Sequence, residues 1–129
     1  MIKKTIELRH ELHQHPEVSN NEYKTSDRIV KFMKTLLPDE IINLSKTGKA
    51  FVFKGKEAGK TIVFRAELDA LPILEKSSLS YASTNKNVSH VCGHDGHMAI
   101  LAGLAQKLAN ETPKYGKIVL LFQDRSSSW

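Results

Sequence analysis

The chain has very little cysteine, one residue in 129. A single thiol closes no internal disulfide, so the fold is not a stapled secreted scaffold. No apolar run approaches the roughly 20 residues needed to cross a bilayer. The opening residues, "MIKKTIELRHELHQHPE", turn polar at once and lack the apolar segment of a secretory signal. Together these absences predict a cytoplasmic protein without a membrane partner. No internal repeat is visible. Charge of one sign is also not concentrated. The net charge of +5 raises nucleic acid as a partner, but the lysines are scattered and only residues 46–60 are locally basic. Phe51 and Phe53 in that stretch alternate as strand residues do. A solvated face accounts for the charge, and no nucleic-acid partner is expected.

What is present fits one globular domain: 40% hydrophobic and 26% charged residues. Ile2, Ile6, Leu8 and Leu12 recur near helical spacing, and His15-Pro16 ends that helix, since a residue before proline is pushed out of the α region. Ser19 and Glu22 have the spacing of a capping box for a second helix, whose apolar face holds Tyr23, Ile29, Val30, Met33, Leu36 and Leu37. From Ile41 the period shortens, and "IINL", "AFVFKG" and "TIVFRAEL" predict three strands. The strand ending at Gly55 and the one starting at Thr61 are expected to pair as a hairpin. "LPILEKSSLSYASTNKNVSH" is a long irregular connection, a kind that is often functional. Residues 96–110 form a helix apolar on nearly every side, expected to be buried against a sheet. "GKIVLLF" is the continuous apolar strand found inside parallel sheets. The order ααβββαβ predicts an α/β domain with a mixed sheet flanked by helices.

Two clusters carry chemistry. In "RAELDALP", Glu67 and Asp69 stand at the end of a strand, where sites of open α/β sheets lie. Two apart on an extended chain, they point the same way; the bland alternative is a pair of surface carboxylates. The second cluster is "HVCGHDGHMA", with three histidines, an aspartate and the one cysteine just ahead of the buried helix. Cys92 and His94 can reach one cation, and a thiolate with an imidazole suits zinc and other borderline-soft metals. Asp95 can hydrogen-bond a ligating imidazole or bridge two cations. Packing for the cysteine and helix capping for the histidines are the ordinary alternatives. A structural zinc site is disfavoured, because no second Cys/His pair exists to complete four ligands.

These motifs resemble the amino-terminal part of the M20 metallopeptidase superfamily, and within it the N-acyl-amino-acid amidohydrolases, a group that includes hippurate hydrolase and the auxin-conjugate hydrolases. The resemblance runs through "LRHELHQHPEVSNNEYKTSDRI", "FRAELDALPI", "HVCGHDGHMAILAGLAQKLA" and "GKIVLLFQ" in order. It implies residues 1–123 as the amino-terminal part of a zinc-exopeptidase-type catalytic domain and 124–129 as a tail foreign to the family. It implies two divalent ions, zinc, manganese or cobalt, and hydrolysis of the amide of a small N-acyl amino acid or peptide. By motif position Cys92 and His94 are metal ligands, and Asp69 is the active-site aspartate that orients a ligand. Glu67, Asp95 and His97 are candidate supporting groups; Glu67 stands where many relatives have aspartate. The family's lid and dimerisation domain, which would make the parent enzyme a homodimer, is not in this sequence. Relatives also continue after "FQ" toward a glutamate pair, a general base and a metal ligand, where this sequence reads "DRSSSW". The expectation is an amino-terminal fragment, inactive alone. The alternative is a non-catalytic metal-binding or interaction protein that keeps the fold.

Overall fold

A computed structural model describes residues 2–85, 87–90 and 93–124. Its elements run α1 (Ile2–Gln14), α2 (Tyr23–Lys34), β1 (Glu40–Leu44), β2 (Gly48–Lys54), β3 (Glu57–Glu67), α3 (His94–Asn110) and β4 (Tyr115–Gln123). The order is the one predicted. Leu8 and Leu12 of α1, Ile29 and Met33 of α2, and Met98, Leu101, Ala102 and Ala105 of α3 share one core with Phe51, Phe53, Ala66, Leu120 and Phe122 of the sheet. In the register, Phe51 lies beside Leu120 and Ala66 beside Phe122, so these side chains share one face of the sheet. The rings of Phe51 and Phe122 meet edge-on, 5.6 Å between centroids.

The sheet order is β1-β2-β4-β3, which corrects the expected hairpin. β2 and β3 are consecutive but do not pair, because β4 lies between them, antiparallel to β2 and parallel to β3. The reason is visible in β4 itself: a continuously apolar strand is most stable where both neighbours satisfy its backbone and its side chains are covered. The true hairpin is β1–β2. The crossing of β2, β3 and β4 is tight at glycines. The Gly55 N–H donates to the Gly116 carbonyl at 2.6 Å. Gly116 has φ +74°, and a Cβ there would collide with the Lys60 carbonyl oxygen.

The capping box is a second correction. Glu22 precedes α2 without a side-chain cap bond. The acceptor is Glu17, whose carboxylate takes the Thr25 N–H at 2.5 Å and the Lys24 N–H at 3.3 Å. Ser19 loses the role because the chain just before it is drawn to the sheet end: Val18 bridges Ala70 in parallel, and the Glu17 carbonyl accepts from the Ala70 N–H. Apolar side chains are exposed on the sheet edge and on the helices. Leu120 and Phe122 are buried, whereas Ile62, Val63 and Phe64 on the edge strand β3 are exposed, as are Ile2, Ile6 and Ile100 on the helices.

The core makes a definite demand on Phe122. Truncation to alanine in a fully buried aromatic site costs about 3–5 kcal/mol. Urea denaturation of Phe122→Ala is expected to show a loss of this size with the cooperativity slope unchanged. Gly116→Ala is expected to destabilise as well, since it combines a left-handed backbone with a backbone clash.

Candidate metal centre

β3 and β4 are parallel, and the helix that joins them starts at the carboxyl end of β3. Glu67 is the last residue of β3, and Asp69 follows two residues on. His94 is the first residue of α3, two residues earlier in the chain than the helix start expected from sequence. The residue before it, Gly93, has φ +91° and makes the turn into the helix without a side-chain cap bond, so the alternative role of the histidines as caps is not used.

Glu67, Asp69 and His94 converge: one donor atom from each lies within 4.8 Å of the other two. The His94 Nδ1 is 2.8 Å from the Asp69 carbonyl oxygen. A carbonyl only accepts, so Nδ1 carries a hydrogen, and Nε2 is the ring nitrogen left to present a lone pair to a cation. That Nε2 faces Glu67 Oε2 at 3.3 Å. An unprotonated nitrogen and a carboxylate oxygen at this distance need a proton or a cation between them. Two ligands about 2.1 Å from one tetrahedral zinc stand about 3.4 Å apart, so the separation fits a shared metal. Asp69 Oδ1 adds a third donor. It lies 3.1 Å from Nδ1, but the hydrogen there goes to the carbonyl, and Oδ1 is buried without a hydrogen bond. A hard and borderline donor set with an orphaned buried carboxylate oxygen suits a divalent ion. Arg65, 3.5 Å from Glu67 Oε1, offsets part of the negative charge.

The other sequence candidates go elsewhere. Cys92 lies outside the described residues. Asp95 is buried but turns away from Glu67 and Asp69 to His13 Nδ1, at 2.8 Å, and to Arg9 Nε, at 3.4 Å. His97 is exposed on the first turn of α3, its ring 6.1 Å from that of His94. Glu67, expected as a supporting group, contributes a donor atom to the cluster itself.

Sequence reasoning missed a second polar assembly. His13 Nε2 contacts Glu75 Oε2 at 2.9 Å while its Nδ1 contacts Asp95. Burial works against charge on His13, but hydrogen bonds to Glu75 and Asp95 outweigh it and raise its pKa above the ordinary value. Burial would likewise raise Glu75; hydrogen bonds from His13, Ser77 and the Ser83 N–H hold it down at about 2. His90 is buried with neither ring nitrogen hydrogen-bonded, and burial pushes it down to about 4. The available signal was the helical spacing of Arg9 and His13, four apart, which puts both on one face of α1. Nothing in the irregular loop marked Glu75 as a partner of His13.

Residues 63–125 match the family model described as Peptidase family M20/M25/M40. An N-acetyldiaminopimelate deacetylase of Bacillus cytotoxicus is 40% identical over 124 residues, covering 95% of this chain and 32% of the relative. An N-acetyl-L-cysteine deacetylase of Bacillus subtilis is 43% identical, covering 94% of this chain and 29% of the relative. Among solved structures, a Bacillus subtilis dinuclear metal-binding peptidase from the M20 family matches with a TM-score of 0.89 at 36% identity, covering 95% of this chain and 35% of that one. The chain spans about a third of the length of the relatives it matches.

Asp95 is where this geometry is most exposed to a stability test. Removing one partner of a buried ionic assembly typically costs about 3–5 kcal/mol, because the partners left behind stay charged. Asp95→Ala leaves His13 facing an empty site, and its urea midpoint is expected to fall accordingly.

Proposed function

Since the chain belongs to the M20 peptidase family, we propose that residues 1–123 form the amino-terminal, metal-binding part of a two-metal amidohydrolase domain that acts on small N-acyl amino acids. The observation that carries this reading is the meeting of His94 Nε2, Glu67 and Asp69 at the carboxyl end of β3. Relatives named as deacetylases of N-acetylated amino acids support the substrate class. A divalent cation held there supplies Lewis acidity to the scissile carbonyl and acidifies water.

The chain's own residues prepare the place. The Asp69 carbonyl fixes the tautomer and orientation of His94 through Nδ1, which leaves Nε2 for the ion. The Asp69 carboxylate is then free to act as a donor. Its segment is anchored by the Ala70 N–H bond to Glu17. Cys92 is carried into the proposal by the resemblance alone, as a further ligand two residues before His94. Zinc, manganese and cobalt all suit the donor set.

Calorimetric titration of the chain with zinc or manganese tests the site. Removing a group that merely supports a ligand typically costs 10–100-fold in affinity. Loss of a ligand is expected to cost more, so His94→Ala and Glu67→Gln should each weaken binding by upwards of about 100-fold. Equal heats for the wild type and both variants would rule the site out.

The 129 residues alone are proposed to bind metal without turnover. The glutamate pair that the resemblance places after the last strand is absent from "FQDRSSSW", and loss of a positioned general base costs on the order of 10²–10⁴ in rate. Acetyl- and benzoyl-amino acids incubated with the chain and zinc, manganese or cobalt are expected to remain intact. Multiple turnover that vanishes in His94→Ala would show the catalytic set to be complete.

A further inference from the structure

The long connection between β3 and α3 closes on itself. Leu71 and Ser89 exchange both backbone hydrogen bonds at 2.9 Å, and Ser89 Oγ donates to the Ile73 carbonyl at 2.6 Å. The described residues between them have no helix or strand and little buried surface of their own. They are held to the last turn of α1. Tyr81 stacks on His10 at 3.7 Å between ring centroids. The Thr84 N–H and hydroxyl both donate to the Gln14 carbonyl at 2.9 Å, an acceptor that the end of a helix leaves without an internal partner. Gln14 Nε2 adds a long bond to the Ser80 carbonyl.

At the centre of this contact, His13 joins three segments. Its Nε2 reaches Glu75 of the loop and its Nδ1 reaches Asp95 on the first turn of α3. Glu75 is gathered further by Ser77 Oγ and the Ser83 N–H. Asp95 is adjacent in sequence to His94, so the same contact that ties down the loop also holds the helix start.

We propose that His13 is a positioning residue: by bridging Glu75 and Asp95 it clasps the 71–89 loop to α1 and fixes the start of α3, so that His94 meets Glu67 and Asp69. The effect on metal affinity rests on the metal site proposed above; the clasping of the loop does not.

The clasp has a pH signature. Ionised carboxylates only accept, so two bonds to two carboxylates require hydrogens on both ring nitrogens. The groups facing His13 are Glu75 from the loop, Asp95 from α3 with Arg9 beside it, the Tyr81 ring stacked on His10, and His90. His13 is raised above 6.5, so its contribution is complete below that pH and is lost as pH rises through the folded-state value. Glu75 is lowered from 4.5 to about 2, so its contribution is complete above 4.5 and is lost as pH falls toward 2. His90 acts oppositely to His13: with its pKa lowered from 6.5 to about 4, it costs stability as pH falls through that interval. Global stability therefore mixes opposing signs, and the clasp must be read in the loop.

The test is amide hydrogen exchange of the 72–88 segment, followed by mass spectrometry from pH 5 to 9 and corrected for intrinsic rates, in the full chain and in His13→Gln and Glu75→Gln. Zinc titration of all three accompanies it. The wild-type loop is expected to be protected at low pH and released as pH rises past 6.5 through the His13 transition. Both variants should exchange faster at pH 6 by on the order of tenfold, with no such transition. Their zinc affinity should fall by about 10–100-fold. Wild-type protection that ignores pH, or protection equal in all three proteins, overturns the clasp. A released loop with undiminished zinc affinity overturns the positioning of His94. Wild type that takes up no zinc but shows the loop transition supports the clasp and overturns only the metal reading. If His13→Gln does not fold, the wild-type profile and Glu75→Gln decide the question by the same criteria.

Discussion

The parallel pairing of β3 with β4 is the constraint on which the rest depends. Parallel neighbours cannot be joined by a tight turn; the chain must return across the sheet, and here α3 does so. A helix in that role starts where the first strand ends. The sheet's pairing thus brings His94 to Glu67 and Asp69, although 25 residues of sequence separate Asp69 from His94. It also explains why β3 and β2 are parted: β4 needs a partner on both edges, and it obtains them only by entering between two strands that are consecutive in the chain. The glycines at 55 and 116 are the local condition for that entry, where backbones pass too close for a Cβ.

How much of this could be read from sequence divides along physical lines. Element type and order were legible because they rest on local periodicity: the helical recurrence of Leu8 and Leu12, the alternation of Phe51 and Phe53, the unbroken apolar run of β4. Pairing was not legible, because register between strands distant in the chain leaves no local trace; a strand ending at Gly55 and another starting at Thr61 look like a hairpin whether or not another strand intervenes. The cap of α2 failed for a related reason. Ser19 had the right spacing, but the backbone just before it was committed to Ala70, and Glu17 did the work from outside the expected window. At the site, the strand-end position of Glu67 and Asp69 and their common direction followed from the two-residue period. The turning of Asp95 toward α1 did not, since its partner His13 lies 82 residues away.

The two polar assemblies illustrate different uses of buried charge. Around His13 opposite charges meet: an imidazole between two carboxylates, with Arg9, Ser77 and Ser83 on the outer sides, although Asp95 Oδ1 is buried without a hydrogen bond. Such an assembly is not a large source of net stability, because desolvation consumes much of the attraction. Its value is directional. A loop of this length, with few buried apolar residues, has little else to select one conformation from many, and each ordered residue costs about 1–2 kcal/mol of backbone entropy. Hydrogen bonds to ionised groups supply geometry that hydrophobic contact lacks.

Around His94 the balance is reversed. Glu67 and Asp69 bring two carboxylates to one place, with a single imidazole whose hydrogen already goes to a backbone carbonyl. Asp69 Oδ1 is buried without a hydrogen bond, an arrangement that typically costs about 1–3 kcal/mol and more for a charged group. A fold does not hold acceptors together against their own repulsion unless something offsets the cost elsewhere. Here the offset comes from the elements that impose the geometry: β3 locked beside β4, Ala70 tied to Glu17, and Asp95 held to α1. The charge-paired assembly thus helps hold the acceptor-rich one, and a cation placed among those acceptors would meet ligands that need no reorganisation to receive it.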